Sequence, residues 1–316
     1  MAKAAKTVRA AGADETGAER STRCGFVALI GAPNAGKSTL LNALVGEKVA
    51  IVTPKVQTTR MRLKGIAMIG DSQIVFVDTP GIFAPRRRLD RAMVAAAWEG
   101  ARDADEVVLV IDAERGIDAR VGMILDGLKQ EGRSVVVALN KIDRVKKPVL
   151  LELARRLDET GLARRIFMIS AIRGEGVADL KAWLADNLPE GPWLYPPDQV
   201  TDIANRVMAA EITREKIYLR LHEELPYQIA VETEEWEERD DGSVVIRQVI
   251  HVMRETQKRI VIGRGGRMLK EIGRAARLEM EEIFARRVHL FLFVRVSERW
   301  QDERRHYLEL GLDYVR

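Results

Sequence analysis

The chain has 316 residues, 47% hydrophobic and 31% charged, with a formal net charge of +4. That length allows about two domains of ~150 residues each, and the absence of any uncharged apolar run of ~18 residues argues against a membrane-spanning helix. A single cysteine, Cys24, rules out a disulfide framework within the chain and points to a reducing compartment.

Residues 1–23 lack the apolar core of a secretory signal, and Asp14, Glu15 and Glu19 weaken a mitochondrial-transit reading. A flexible extension is expected there. From 24 to 188, apolar runs such as "GFVALIG", "QIVFVDT", "EVVLVIDA", "SVVVALNKID" and "RIFMISA" alternate with helix-like segments. This alternation predicts an α/β doubly wound sheet, mostly parallel, with functional loops at the carboxyl ends of its strands. The Pro/Gly-rich stretch 189–199 reads as a linker. Residues 200–316 predict a smaller α+β unit: a helix, two strands joined through "RDDG", two helices around a glycine-rich turn, and a last strand. Trp236, Phe284, Phe291 and Phe293 read as core or strand packing, and Trp300 stays ambiguous. The four histidines form no metal-ligand pattern.

"GAPNAGKST" (Gly31, Ala32, Pro33, Asn34, Ala35, Gly36, Lys37, Ser38, Thr39) follows the first strand and opens a helix. That is the context of a phosphate loop, where backbone N–H groups and a helix N-terminus cradle phosphates. Lys37 supplies charge at the outer phosphates, and Ser38 can ligate Mg2+. "NKID" at 140–143 selects the base. The Asp143 carboxylate can accept both the N1–H and the 2-amino group of guanine, whereas adenine would leave it unpaired. Asn140 can bind the base edge or brace the loop, and the Lys141 stem covers the ring. Ser170-Ala171 would aim a backbone N–H at the guanine oxygen.

In "DTPGI", Asp78 gives a second magnesium contact, with Thr79 and Pro80 shaping the turn and the Gly81 N–H facing the terminal phosphate. In "QTTR" at 57–60, a threonine can close over magnesium when the third phosphate is present; Thr59 is preferred to Thr58, the alternative being an ordinary polar loop. "APRRRLDR" at 84–91 is expected to move with the third phosphate. Ras-like hydrolases carry a water-orienting glutamine straight after the glycine of this motif, but here that position is Ile82.

The second unit carries G-x-x-G as Gly263-Arg264-Gly265-Gly266 between two helix-like segments, as in a KH domain of the second topology. Around it stand Arg254, Lys258, Arg259, Arg267, Lys270, Arg274 and Arg277, while "ETEEWEERDD" at 232–241 is acidic. Such segregation suits single-stranded RNA on one face. The alternative is a solvated basic helix with a glycine turn.

Together these motifs resemble the Era family of bacterial GTPases over nearly the whole chain after residue 23. The resemblance implies a GTP/GDP switch that binds small-subunit ribosomal RNA, assists assembly of the small ribosomal subunit, and associates peripherally with the inner face of the cell membrane. A cytoplasmic monomer is expected. It also implies a GTPase class with a hydrophobic residue in place of the glutamine, in which a K+ ion is held partly by the phosphate-loop asparagine, here Asn34. Asn34, Lys37 and Thr59 are then the expected catalytic residues; alternatively, Asn34 merely shapes its loop. Two other readings stay open: an RNA-binding assembly protein with a nearly inactive GTP sensor, and a membrane-associated regulator.

Overall fold

The structure, a computed structural model, describes residues 22–55, 58–221 and 225–298, with 300, 303–304, 307 and 310–314. The extension expected at 1–23 falls almost wholly outside the described residues, as does Gln57 of "QTTR". The first unit runs β1 (Arg23–Ile30), α1 (Lys37–Val45), β2 (Leu63–Ile69), β3 (Ser72–Asp78), α2 (Arg88–Asp103), β4 (Glu106–Asp112), α3 (Ala119–Gln130), β5 (Val135–Asn140), α4 (Lys147–Asp158), β6 (Ala163–Met168) and α5 (Val177–Asn187). Its six strands lie in the order β2-β3-β1-β4-β5-β6, parallel except for β2, which pairs antiparallel with β3.

Both faces of this sheet are covered, so its central strands are apolar throughout rather than alternating. Val27 and Leu29 pack with Leu40, Leu41 and Leu44 of α1 and Leu180 and Leu184 of α5. Ala28 and Ile30 pack with α2, α3 and α4 through Ala97, Ala101, Ile124, Leu153 and Leu157. β2 and α5 did not stand out in the sequence. β2 is an edge strand of only seven residues, where little apolar periodicity can develop.

The second unit comprises α6 (Asn205–Arg220), β7 (Ala230–Glu238), β8 (Val244–Val252), α7 (Glu255–Ile262), α8 (Arg267–Ile283) and β9 (Val288–Val296). β8 is central, antiparallel to β7 and parallel to β9. Met208 and Ile212 of α6 and Ala276 and Met280 of α8 pack on Val244 and Ile246. Phe291 and Phe293, read as core or strand packing, stand 47% and 54% exposed on β9, with the Arg247 guanidinium 5.6 Å from the Phe291 ring centroid. The strand alternates, and β9 turns these two rings away from α7 and α8. Trp236 and Phe284 do meet edge to face, 5.5 Å apart. Trp300 is buried with Leu89, Met93 and Ala96 of α2.

The stretch 189–199 is tied to the first sheet. Cys24 N donates to Pro189 O at 3.1 Å, Trp193 Nε1 to Asp71 O at 3.0 Å, and Leu194 N and Tyr195 N to Gln73 Oε1 at 2.8 and 3.0 Å. α6 then lies between the two units. Its charged residues Glu211, Arg214, Glu215 and Lys216 are buried.

Candidate functional site

The phosphate loop joins β1 to α1 at the carboxyl end of the sheet, as the topology requires. Gly36 opens α1 with φ 96°, and a Cβ there would lie 2.3 Å from Asn140 Nδ2, so only glycine fits. Lys37 is buried and its Nζ donates to Gly31 O and Ala32 O, both at 3.2 Å, curling the loop around its own ammonium. Burial pushes the Lys37 pKa down, against the pull of Asp78.

Three oxygens converge beside it. Ser38 Oγ lies 2.8 Å from Thr59 Oγ1 and donates to Asp78 Oδ2 at 2.7 Å; Thr59 Oγ1 donates to the same carboxylate oxygen at 3.0 Å. Thr58 turns elsewhere, its hydroxyl 2.7 Å from Thr53 Oγ1 and donating to Lys55 O at 2.8 Å. Asp78 is fully buried, and its Oδ1 has no partner among the described residues. Burial raises its pKa, opposed by Lys37 and by the hydrogen bonds from Ser38 and Thr59. A buried carboxylate oxygen without a donor is costly. With two hydroxyls alongside, it fits a hard cation that keeps water and phosphate ligands, which is the habit of Mg2+.

Gly81 packs against Pro33, and Ile82 N donates to Gly31 O at 3.1 Å. The Ile82 side chain is 1% exposed in the core under α2. Thr79 Oγ1 donates to Leu29 O at 2.8 Å, so this residue braces β1 from within. Arg86 and Arg87 are exposed, and their backbone N–H groups donate to Asp90 Oδ2 at 3.1 and 2.9 Å. Arg88 instead meets Tyr314, Nη1 to hydroxyl at 2.5 Å.

At the base end, Asn140 Nδ2 donates to Ala35 O at 2.9 Å and its Oδ1 accepts from Ala171 N at 3.0 Å. One buried amide therefore braces three loops. Lys141 takes a left-handed φ of 66°, and its Nζ reaches Asn34 O at 2.9 Å and Asp112 Oδ2 at 2.5 Å. Ser170 Oγ donates to Asp143 Oδ1 at 2.7 Å. That hydrogen bond, before the nearby Arg173 and Arg144, holds the Asp143 carboxyl below the ordinary range. The Asp112 contribution was missed because an aspartate ending a buried strand carries no motif of its own.

In the second unit the turn between α7 and α8 holds Gly263, Gly265 and Gly266, all at positive φ. Arg254, Arg259, Arg264, Arg267, Lys270 and Arg274 are exposed, Lys258 is half-buried, and none of them makes an ion pair among the described residues. Arg277 instead pairs with Glu281 at 2.8 Å. The acidic strand β7 is held by arginines of its own sheet, Arg247 to Glu235 and Arg295 to Glu234.

A phosphate loop with guanine-type contacts on a doubly wound sheet, followed by a glycine turn in a small α/β unit, defines a P-loop GTPase fused to a KH domain. Residues 26–141 match the family model described as a 50S ribosome-binding GTPase, and residues 224–301 match the KH domain. The chain is 59% identical to the GTPase Era of Brucella suis over 93% of its length and 94% of that protein's. It is 55% identical to that of Caulobacter vibrioides, covering 93% and 97%. Among solved structures, a variant of Aquifex aeolicus Era bound to GDP.AlF4- superposes with a TM-score of 0.87 at 39% identity, over 93% of this chain and 100% of the other. An Era in complex with MgGDPNP and nucleotides 1506–1542 of 16S ribosomal RNA gives 0.88 at 39% identity with the same coverage. The chain belongs to the Era family of GTPases.

Proposed function

We infer that the protein hydrolyses GTP to GDP and phosphate and uses the cycle to bind and release small-subunit ribosomal RNA during assembly of that subunit. The observation that supports the enzymatic half most directly is the convergence of Ser38, Thr59 and Asp78 beside Lys37. In this reading Ser38, Thr59 and Asp78 hold Mg2+, which when bound neutralises charge developing on the outer phosphates. Lys37 and the N–H groups of the phosphate loop and Gly81 hold the phosphates in place. Asp143 reads the guanine, with Ser170 fixing its carboxylate and Asn140 bracing its loop. Arg264, Arg267, Lys258 and Lys270 meet RNA phosphates, while Gly263, Gly265 and Gly266 admit the RNA backbone.

The Ile82 side chain is buried and apolar, so orientation of the attacking water falls to backbone groups of the loops around it. Asn34 Nδ2 donates to Pro54 O at 3.0 Å, which leaves its Oδ1 as a donor atom for K+ near the phosphates. Turnover should be several-fold faster in potassium than in sodium at equal ionic strength. Asn34→Ala should erase most of that difference while GDP affinity stays near wild type, and Lys37→Ala should abolish tight nucleotide binding. Equal wild-type rates in the two salts would remove the potassium role; no magnesium-dependent turnover in either would remove the enzymatic reading.

No helix among the described residues is long and apolar enough to cross a membrane. A cytoplasmic monomer that meets the inner membrane only peripherally fits the family resemblance.

A further inference from the structure

The loop that carries Thr59 is held from two sides. On one side Thr59 bonds Ser38 and Asp78. On the other, the residues flanking it are held by the second unit. The Thr58 carbonyl accepts from Arg214 Nη2 of α6. The Arg60 guanidinium donates through Nη1 to Ile229 O at 2.7 Å and through Nη2 to the Tyr218 hydroxyl at 2.8 Å and Tyr227 O at 3.2 Å. Its Cζ lies 5.9 Å from the Tyr218 ring centroid and 5.7 Å from that of Trp300. Arg214 is itself oriented by Glu211, Nε to Oε1 at 2.7 Å, and faces the Tyr218 ring at 5.1 Å.

Both arginines are 2% exposed. Burying a guanidinium costs several kcal/mol unless its donors are met in good geometry. Arg60 has no hydrogen-bonded carboxylate among the described residues; backbone carbonyls, the Tyr218 hydroxyl and two aromatic faces meet its Nη1 and Nη2 end, while its buried Nε has no hydrogen-bond partner there. Such a set is directional, because the planar fork fits acceptors only at fixed positions. Neighbouring Cα atoms sit ~3.8 Å apart, so fixing residues 58 and 60 leaves the Thr59 hydroxyl little freedom of its own.

We propose that Arg60 and Arg214 are positioning residues for Thr59: the KH-bearing unit presets the threonine that completes the magnesium and third-phosphate site. This rests on the reading of Thr59 given above. It makes the GTP-bound arrangement, and not nucleotide binding in general, dependent on α6. GDP has no third phosphate, so its affinity is insulated from this clasp. An interface that merely glues two units together would show no such asymmetry.

The test uses the full chain. GTP turnover is titrated with Mg2+, and GDP affinity is measured alongside, for wild type, Arg60→Ala, Arg214→Lys, Tyr218→Phe and Thr59→Ala. Arg60→Ala and Arg214→Lys should lower kcat between ~10-fold and ~100-fold, the scale of a displaced catalytic group, and raise the Mg2+ needed for half-maximal turnover. Tyr218→Phe, which keeps the ring and loses the acceptor, should shift both in the same direction by less. GDP affinity should stay within about twofold of wild type. Should Arg60→Ala fail to fold, Arg214→Lys and Tyr218→Phe decide alone. A loss of GDP affinity that parallels the loss of turnover, or unchanged kcat and Mg2+ dependence, overturns the proposal. If Thr59→Ala turns over like wild type, the reading of Thr59 itself is lost; if it is impaired while the clasp variants are normal, only the proposal falls.

Discussion

Asp143 and Ser170 are 27 residues apart in sequence, yet their 2.7 Å hydrogen bond fixes which carboxylate lone pairs face the base. Replacing Asp143 with Asn exchanges an acceptor for an amide that can donate, which suits the 2-oxo group of xanthine. Asp143→Asn should weaken GTP binding and gain XTP binding; unchanged GTP affinity would take Asp143 out of the site. The pH dependence follows from the same bond. The Asp143 pKa is depressed, with the Ser170 hydroxyl as first cause. Its carboxylate therefore accepts from guanine above that depressed value and loses the ability as pH falls through it. Ser170→Ala removes the hydroxyl and raises the pKa, so acid loss of GTP affinity should begin at a higher pH. A fluorescent-nucleotide titration from about pH 5 down to below the ordinary aspartate value of ~3.9 reads this directly.

The turn between α7 and α8 separates two uses of glycine. At Gly263, φ is 72° and a Cβ would lie 2.7 Å from Met268 Cβ and 2.9 Å from Met268 N. Gly263→Ala should cost about 1–3 kcal/mol in stability, since both strain and backbone crowding oppose it. At Gly265 φ is 62° but nothing lies within 4 Å of a Cβ. Aspartate tolerates that conformation better than most residues, so Gly265→Asp should fold. It should nevertheless abolish single-stranded RNA binding while leaving GTP affinity unchanged, as filter binding and a GTP titration would record. Tight RNA binding by Gly265→Asp would reduce this surface to a basic helix. This turn, the phosphate loop and "NKID" were legible in the sequence because each is local: its glycines and polar residues act on a backbone within a few positions. β2, the burial of α6 and the outward rings of Phe291 and Phe293 were not. They depend on which unit lies alongside, and a charged helix such as "EITREK" reads as solvated until a second surface covers it.

At the scale of the whole molecule, the two units meet across charged groups whose state depends on pH. Glu215 of α6 is buried. Its Oε1 accepts from Val52 N at 2.8 Å and Lys48 Nζ at 2.9 Å, and its Oε2 from Lys216 Nζ at 2.7 Å. Lys48 and Lys216 also both reach Glu279 of α8. The first unit thus contributes Lys48 and the Val52 backbone, and the second unit contributes the carboxylates. Burial alone would raise the Glu215 pKa, but hydrogen bonds from Lys216, Lys48 and Val52 outweigh it, and the net direction is down. A depressed carboxylate contributes stability that is fully present above its unfolded value and is lost as pH falls through the folded one. Acid should therefore loosen the contact between the units as pH drops below the ordinary glutamate range. Glu215→Gln leaves Lys48 and Lys216 only Glu279 as counter-charge and turns a charged acceptor into a neutral amide, which should cost about 1–3 kcal/mol. It should lower stability at neutral pH and, having no proton to gain, flatten the acid slope. Calorimetric melts of both proteins across that range would decide it. Parallel pH slopes in wild type and Glu215→Gln would mean that other carboxylates, and not this contact, carry the acid sensitivity.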